Sequence, residues 1–416
     1  MKRYDEYKDS GVEWIGEVPR HWEVVRTRYL CNLCTGNKDT INRVDDGKFP
    51  FYVRSPKVER INTYSFDGEA ILMAGDGVGA GKVFHYANGK FDYHQRVYNF
   101  HNFKKVIGKF FYYYITNNFR YIIEEGGAKN TVDSVRLYMI QNFLITVPPK
   151  EEQREIVFYL DKKCSEIDNV ISAQQKRIAL LQELKQSVIT HAVTKGLNPN
   201  VEMKDSGVEW IGKIPASWDV VHLKRILRER MQYGANEPAE SDDTTYPRYI
   251  RITDITANGE LRPETFKSLE PSKAKDYLLD KGDVLFARSG ATVGKTFLFN
   301  ADIKACYAGY LIKASCDKRR MLPEYLYYYT QSGAYEWWKN SVFIQSTIQN
   351  IGADKYQMMY IPVPSKDEQK QIVEYTMRKS QIFDAAISKA QHQVELLQEY
   401  KQSLITEVVT GKRKVS

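Results

Sequence analysis

The chain has 416 residues, more than one ordinary core holds and about right for two domains with connecting elements. Its 43% hydrophobic content excludes a disordered chain, and a formal charge of +8 suits a nucleic-acid or acidic partner as well as a moderately basic enzyme. The charged start from Met1 to Lys8 has no apolar run behind it and no span reaches transmembrane length, so no membrane partner and a cytoplasmic protein are expected.

Residues 1–149 are rich in β-branched and aromatic runs cut by Gly, Asn and Asp, such as Phe49 to Val53 and Ala70 to Met73, which predicts a mixed α/β segment. Cys31 and Cys34 form a C-x-x-C without a second Cys or His pair at zinc spacing, and read as two small buried hydrophobes. Pro148 and Pro149 end the segment. From Lys150 a stretch free of Gly and Pro predicts a helix to about Lys195, stopped by Gly196, Asn198 and Pro199. The plan then repeats, with mixed α/β sequence to Pro364 and a second helical stretch from Lys366 to Thr410.

Two repeats mark the halves. Lys8 to Gly16 returns unchanged as Lys204 to Gly212, and both copies continue through a Pro and a Trp (Pro19 and Trp22, Pro215 and Trp218). Leu180 to Ser187 returns as Leu396 to Ser403 with one change, Leu184 to Tyr400. The middles diverge, so one scaffold presents two different surfaces. In the first helical stretch Leu160, Cys164, Ile167, Ile171, Gln174, Ile178, Leu181, Lys185, Val188 and Ala192 alternate steps of four and three. Thr376, Ser380, Phe383, Ile387, Ala390, Val394, Leu397, Lys401, Leu404 and Val408 do so in the second. That alternation is a coiled-coil seam on a helix of roughly 65–70 Å, and the other copy is its natural partner. The polar pair Lys185 and Lys401 recurs at one seam place, a matched feature of a single pairing. The fold class expected is α+β: two similar mixed α/β domains separated by two long helices that form an intramolecular antiparallel coiled coil with pseudo-two-fold symmetry. Duplex DNA has the same local symmetry, and unlike heads would read a bipartite, non-palindromic site.

These features resemble the specificity subunit of Type I restriction-modification systems. The resemblance rests on the doubled K-D-S-G-V-E-W-I-G…P…W opening, the paired L-L-Q-E-(L/Y)-K-Q-S helices, and the P-x-x-x-E-Q lead-in to each helix (Pro148 to Gln153, Pro364 to Gln369). It implies target recognition domains at 1–149 and 197–364, spacer helices at 150–196 and 365–411, and a tail at 412–416. It further implies a non-catalytic, sequence-specific DNA-binding chain that directs other subunits to double-stranded DNA. Two modification (methyltransferase) subunits per chain would carry S-adenosylmethionine, and restriction/translocase subunits would carry ATP and Mg. No cofactor and no metal are expected on this chain. A self-sufficient DNA-modifying enzyme and a non-DNA coiled-coil scaffold are the competing readings.

The Gly-rich runs Gly75 to Lys82 and Ser289 to Thr296 both miss the G-x-x-x-x-G-K-[ST] phosphate loop, and Val147 to Lys150 lacks the polar and aromatic flanks of a methyltransferase motif. The two runs align better as a strand entering a Gly-rich turn that projects a variable residue and a Lys. That makes Lys82, Arg288, Ser289, Thr292 and Lys295 candidates for DNA contact. Lys129, Asn130 and Thr131, with Gln345, Ser346, Thr347 and Gln349, form a second matched pair of loops whose amide and hydroxyl groups suit base edges. Arg54, Ser55, Lys57 and Arg60 follow one strand, and Arg248, Arg251 and Thr253 flank its counterpart; Arg is the usual reader of guanine and also meets phosphate. Gln95 and Arg96, next to His94, complete the set. The runs Tyr112 to Tyr114 and Tyr327 to Tyr329 read as core. The outer helix faces with Lys162, Lys163, Arg177, Arg378 and Lys379 read as solvated, some of them docking the modification subunits.

Overall fold

Pro148 and Pro149 cannot donate to a helix ladder, so the first long helix begins just after them and runs from Lys150 to Lys195; the second runs from Lys366 to Val409. Each carries two acidic residues in its first turn, Glu151 and Glu152 or Asp367 and Glu368, where they complement the helix dipole. The computed structural model describes residues 3–125, 134–256, 259–344 and 350–415. The chain divides into two units, Met1–Gln175 with His392–Ser416, and Lys176–Gln391. Each long helix contributes one segment to each unit.

In unit 1 the six-stranded sheet has the spatial order Asn32–Thr35, Val97–His101, Phe66–Ala74, Phe84–Tyr93, Phe49–Tyr52, Glu59–Ile61. Only the pairing of Phe49–Tyr52 with Phe84–Tyr93 is parallel. Unit 2 keeps this order with shorter strands: Gln232–Tyr233, Leu311–Ala314, Val284–Ala287 and Thr296–Leu298 form one sheet. Arg248–Ile250 runs parallel to Ala305–Tyr307 beside it. The long strand Phe84–Tyr93 is thus represented in unit 2 by two pieces.

The repeated ends build the scaffold. In each opening motif the Asp side chain accepts from the Gly two residues on (Gly11 N to Asp9 Oδ1 and Gly207 N to Asp205 Oδ1, both 2.9 Å). Gly16 and Gly212, both at φ +66°, close the same loop in a conformation that other residues adopt at a cost. Trp22 and Trp218 are fully buried, and their indole N–H groups donate to Glu152 and Glu368 at 3.2 Å. Trp14 stacks on Tyr121 and Phe143, and Trp210 stacks on Trp337.

The Gln of each lead-in is the most heavily bonded part. Gln153 is fully buried; its Nε2 donates to Lys105 O (3.0 Å) and Pro148 O (2.8 Å), and its Oε1 accepts from Ile107 N (2.7 Å). Gln369 makes the same three bonds, to Arg320 O, Pro364 O and from Leu322 N. Ile107 and Leu322 are the N-cap residues of the tyrosine helices Gly108–Asn118 and Pro323–Tyr329, so each Gln ties a long helix to a short one. Gln153→Ala or Gln369→Ala is therefore expected to cost roughly 2–4 kcal/mol, because three backbone groups lose their partner inside the protein. Denaturant unfolding checks this; a loss below about 1 kcal/mol would deny the Gln its role.

Within the tyrosine helices Tyr114 and Tyr329 are fully buried, donating to Leu144 O and Tyr360 O. Tyr113 donates to Asp161 (2.6 Å). Tyr112, Tyr327 and Tyr328 are half-buried. Cys31 is buried, which pushes its thiol up to about 12, but Cys34 is exposed with Sγ 3.2 Å from Tyr93 Oη. The reading of both as buried hydrophobes fails for Cys34, because its short edge strand Asn32–Thr35 turns that side chain to solvent.

All twenty seam residues are buried or half-buried. In unit 1 the end of the second helix meets the beginning of the first: Thr146 Oγ1, just before Lys150, donates to Val409 O (2.6 Å), and Lys401 Nζ bonds both oxygens of Asp168 (2.7 Å). The two segments are therefore antiparallel. In unit 2 the late part of the first helix pairs with the early part of the second through Lys185 and Asp384 (2.7 and 2.8 Å). Both seam lysines thus have the same solution, an Asp on the facing helix.

Candidate nucleic-acid interface

In unit 1 the buried strand end Ala70 to Ala74 runs into a turn closed by its own backbone: Gly81 N to Ala74 O (2.9 Å), Ala80 N to Gly77 O (2.9 Å) and Lys82 N to Gly79 O (3.0 Å). A Cβ at Gly79 would lie 2.5 Å from Arg54 O, so the turn packs directly on the chain that carries Arg54. Val78 at the tip is 93% exposed. Unit 2 closes the equivalent turn with Gly294 N to Ala287 O (2.9 Å), Val293 N to Gly290 O (3.1 Å) and Lys295 N to Thr292 O (3.0 Å).

Two further pairs of bonds hold both turns. Gly75 N donates to Arg96 O (2.8 Å) and Val135 N to Gly75 O (2.8 Å); Arg288 N donates to Tyr310 O (3.0 Å) and Ile351 N to Arg288 O (2.8 Å). Isolated bridges join Asp76 to Ser134 and Ser289 to Asn350. By this backbone correspondence Ser289 stands where unit 1 has Asp76, and Tyr310 where it has Arg96.

The side chains on this shared frame differ. Arg54 Nη1 donates to Asp76 Oδ1 (2.9 Å), and Arg96 Nε lies 3.6 Å from Asp76 Oδ2. Gln95 Nε2 donates to Asp39 Oδ2 (2.8 Å), whose carboxyl the Thr40 hydroxyl holds below its ordinary range. His94 is buried, and its Nδ1 accepts from Arg96 N (2.9 Å). Burial, reinforced by Arg54, lowers its pKa, so a neutral His94 orients the Gln95–Arg96 turn from inside. Lys82 is exposed at the end of the Gly-rich turn. Ser55 closes a local turn with Lys57, whose ammonium lies 3.5 Å from Glu59. Arg60 is spent on the fold, donating to Gly47 O and Lys48 O.

In unit 2, Arg288 lies over the Tyr233 ring at 4.9 Å, and Tyr310 beside it is 67% exposed. Thr292 and Lys295 line a cavity of about 260 Å³ with Leu285, Phe297 and Lys339. Arg251 is held by the buried Asp254 (2.8 Å) and by Thr265 O, with the Thr253 hydroxyl 3.4 Å from the same carboxylate. Arg248 donates to Arg262 O and covers Phe266. The structure thus gathers Arg54, Gln95 and Arg96 beside one turn and Arg288, Ser289, Thr292 and Lys295 along the other, while Arg60, Arg248 and Arg251 bind their own unit. Lys129, Asn130, Thr131, Gln345, Ser346, Thr347 and Gln349 lie outside the described residues.

The Type I restriction modification DNA specificity domain matches the chain twice, at residues 19–180 and 215–395. The chain belongs to this family. It is a Type I specificity subunit, the non-catalytic member that confers DNA specificity. It is similar to the EcoDI specificity subunit of Escherichia coli, 28% identical over 43% of this chain and 39% of that subunit. It is also similar to the MjaVIII specificity subunit of Methanocaldococcus jannaschii, 23% identical over 96% of this chain and 94% of that one. A solved chain from work on complex assembly and conformational transition of the type I R-M system shares the fold, with TM-score 0.68 and 16% identity over 94% of this chain and 98% of that one. No helix among the described residues is long and apolar enough to cross a membrane.

Asp76, Tyr310 and Tyr233, which the structure places around the two turns, were not among the candidates read from the sequence. Asp76 did leave a trace, as the charged residue between Gly75 and Gly77 where the phosphate-loop pattern fails. Tyr310 left none, since only the hydrogen-bond register equates it with Arg96.

Proposed function

We propose that this chain addresses a Type I restriction-modification complex to a bipartite, non-palindromic duplex, each unit reading one half with the side chains around its Gly-rich turn. The observation that carries this is one backbone frame bearing two chemistries, an Arg-Asp-Arg cluster with Gln95 in unit 1 and Arg288, Ser289 and Tyr310 in unit 2. A scaffold without a DNA role has no reason to keep the frame and change its tips. The long helices set the distance between half-sites. S-adenosylmethionine belongs to methyltransferase subunits, ATP and Mg to restriction subunits, and none to this chain.

Two methyltransferase subunits per chain are supported by a second feature of the repeat. Leu180 and Leu184, one helical turn apart in unit 2, are 65% and 52% exposed; Leu396 and Tyr400, their counterparts in unit 1, are each 49% exposed. The helices also expose Phe158, Val170, Met377 and Ile382, but only these two pairs stand at equivalent places of the repeat, which supports a docking surface used once in each unit.

The test is selection of a randomised duplex library by the complex of this chain with its methyltransferase subunits. One bipartite sequence should emerge, and affinity should fall roughly a thousandfold or more between about 50 and 200 mM salt if about six to ten phosphates are contacted. Equal binding of all duplexes, or binding indifferent to salt, would overturn the reading.

A further inference from the structure

We infer that Arg96 reads a guanine in the half-site of unit 1, with Asp76 as the residue that positions it. The inference rests on the reading of unit 1 as a DNA-contacting unit. The side chain of Asp76 is 23% exposed, while those of Arg54 and Arg96 are 44% and 65% exposed. The carboxylate is therefore largely covered and the guanidinium groups stand outside it. The Arg96–Asp76 ion pair runs through Nε at 3.6 Å, and with the side chain 65% exposed its two terminal nitrogens are open to a partner. Those two donors form the fork that matches O6 and N7 of guanine. Arg54 Nη1 donates to the other oxygen of Asp76, Oδ1.

The fold does not require this cluster. Unit 2 closes the same turn, with the same bonds from its neighbours, using Ser289 in place of Asp76 and Tyr310 in place of Arg96. Phosphate binding does not require it either, because a carboxylate beside two arginines weakens their attraction for a negative charge. What a fixed carboxylate does supply is orientation. An arginine held in one geometry loses less side-chain freedom on binding and offers its fork in one direction. The backbone beneath it is fixed as well, since Arg96 N donates to His94 Nδ1 and Arg96 O accepts from Gly75 N.

The experiment compares Arg96→Lys and Asp76→Asn with the unaltered chain, each in the complete complex with its methyltransferase subunits, on the randomised duplex library. The unaltered complex should enrich guanine at a position in one half-site. Arg96→Lys keeps the charge and loses the fork, so preference at that position should fall about tenfold or more, with every other position and the salt dependence unchanged. Asp76→Asn should relax the same position. Asp76→Ser, which installs the residue unit 2 uses, should do likewise and covers the case of a misfolded Asn variant. Unchanged preferences in Arg96→Lys, or an equal loss of affinity on all sequences, would overturn the assignment. An unaltered complex that enriches no sequence would instead bring down the proposed function itself, a result visible before any variant is made.

Discussion

Replacing Leu180 and Leu184 with Glu is expected to reduce the complex from two methyltransferase subunits to one. Replacing Leu396 and Tyr400 with Glu should remove the other, and all four changes together should leave this chain alone. The side chains are half to two-thirds exposed in the free chain, so the substitutions should change its own stability by no more than about 0.5 kcal/mol. A partner surface that buries them would instead meet unpaired carboxylates, a penalty of several kcal/mol per site on the scale of a whole interface. Native mass spectrometry of the purified complex counts the subunits directly. Retention of both partners by the fourfold variant would place docking elsewhere on the helices. Loss of both from either twofold variant would show that the two pairs do not act independently.

The scaffold was largely legible because its signals are local. A four-three seam can be read along one helix, and of the twenty residues it names twelve are buried and eight half-buried. The recurring lysines were visible too, but their partners were not: Asp168 and Asp384 lie far from Lys401 and Lys185 in sequence and meet them only through antiparallel pairing. Gln153 was visible as part of a repeated lead-in, yet its task depends on Lys105 and Ile107, which sequence alone does not bring near.

Candidate interface residues were harder to read, for a reason Arg54 and Arg251 illustrate. Each follows an apolar strand in its half, so a sequence reading treats them alike. Arg251 finds Asp254 one turn later and is absorbed into unit 2, whereas Arg54 finds its acid 22 positions on, at the rim of the Gly-rich turn. Whether an arginine faces outward is decided by where the nearest buried carboxylate falls, which the sheet register determines. Tyr310 shows the same limit, since nothing short of that register aligns an aromatic residue with Arg96.

The helices should set half-site spacing in proportion to their length. The first is continuous across the junction of Gln175 with Lys176, and the second across that of Gln391 with His392. Inserting one heptad at both junctions keeps the seam in phase and adds roughly 10 Å of helix, about three base pairs of duplex. The selected sites should then show the same two half-sites with a spacer longer by about that amount. Three base pairs also rotate one half-site against the other by roughly 100°, so overall affinity should fall even as the spacer follows the helix. A four-residue insertion adds about 6 Å but moves the seam out of register, and should weaken the folded chain as well as shift the spacer. A heptad insertion that altered a half-site and left the spacer unchanged would break the link between helix length and spacing. The base preferences would then depend on the helices, and the Gly-rich turns alone could not account for them.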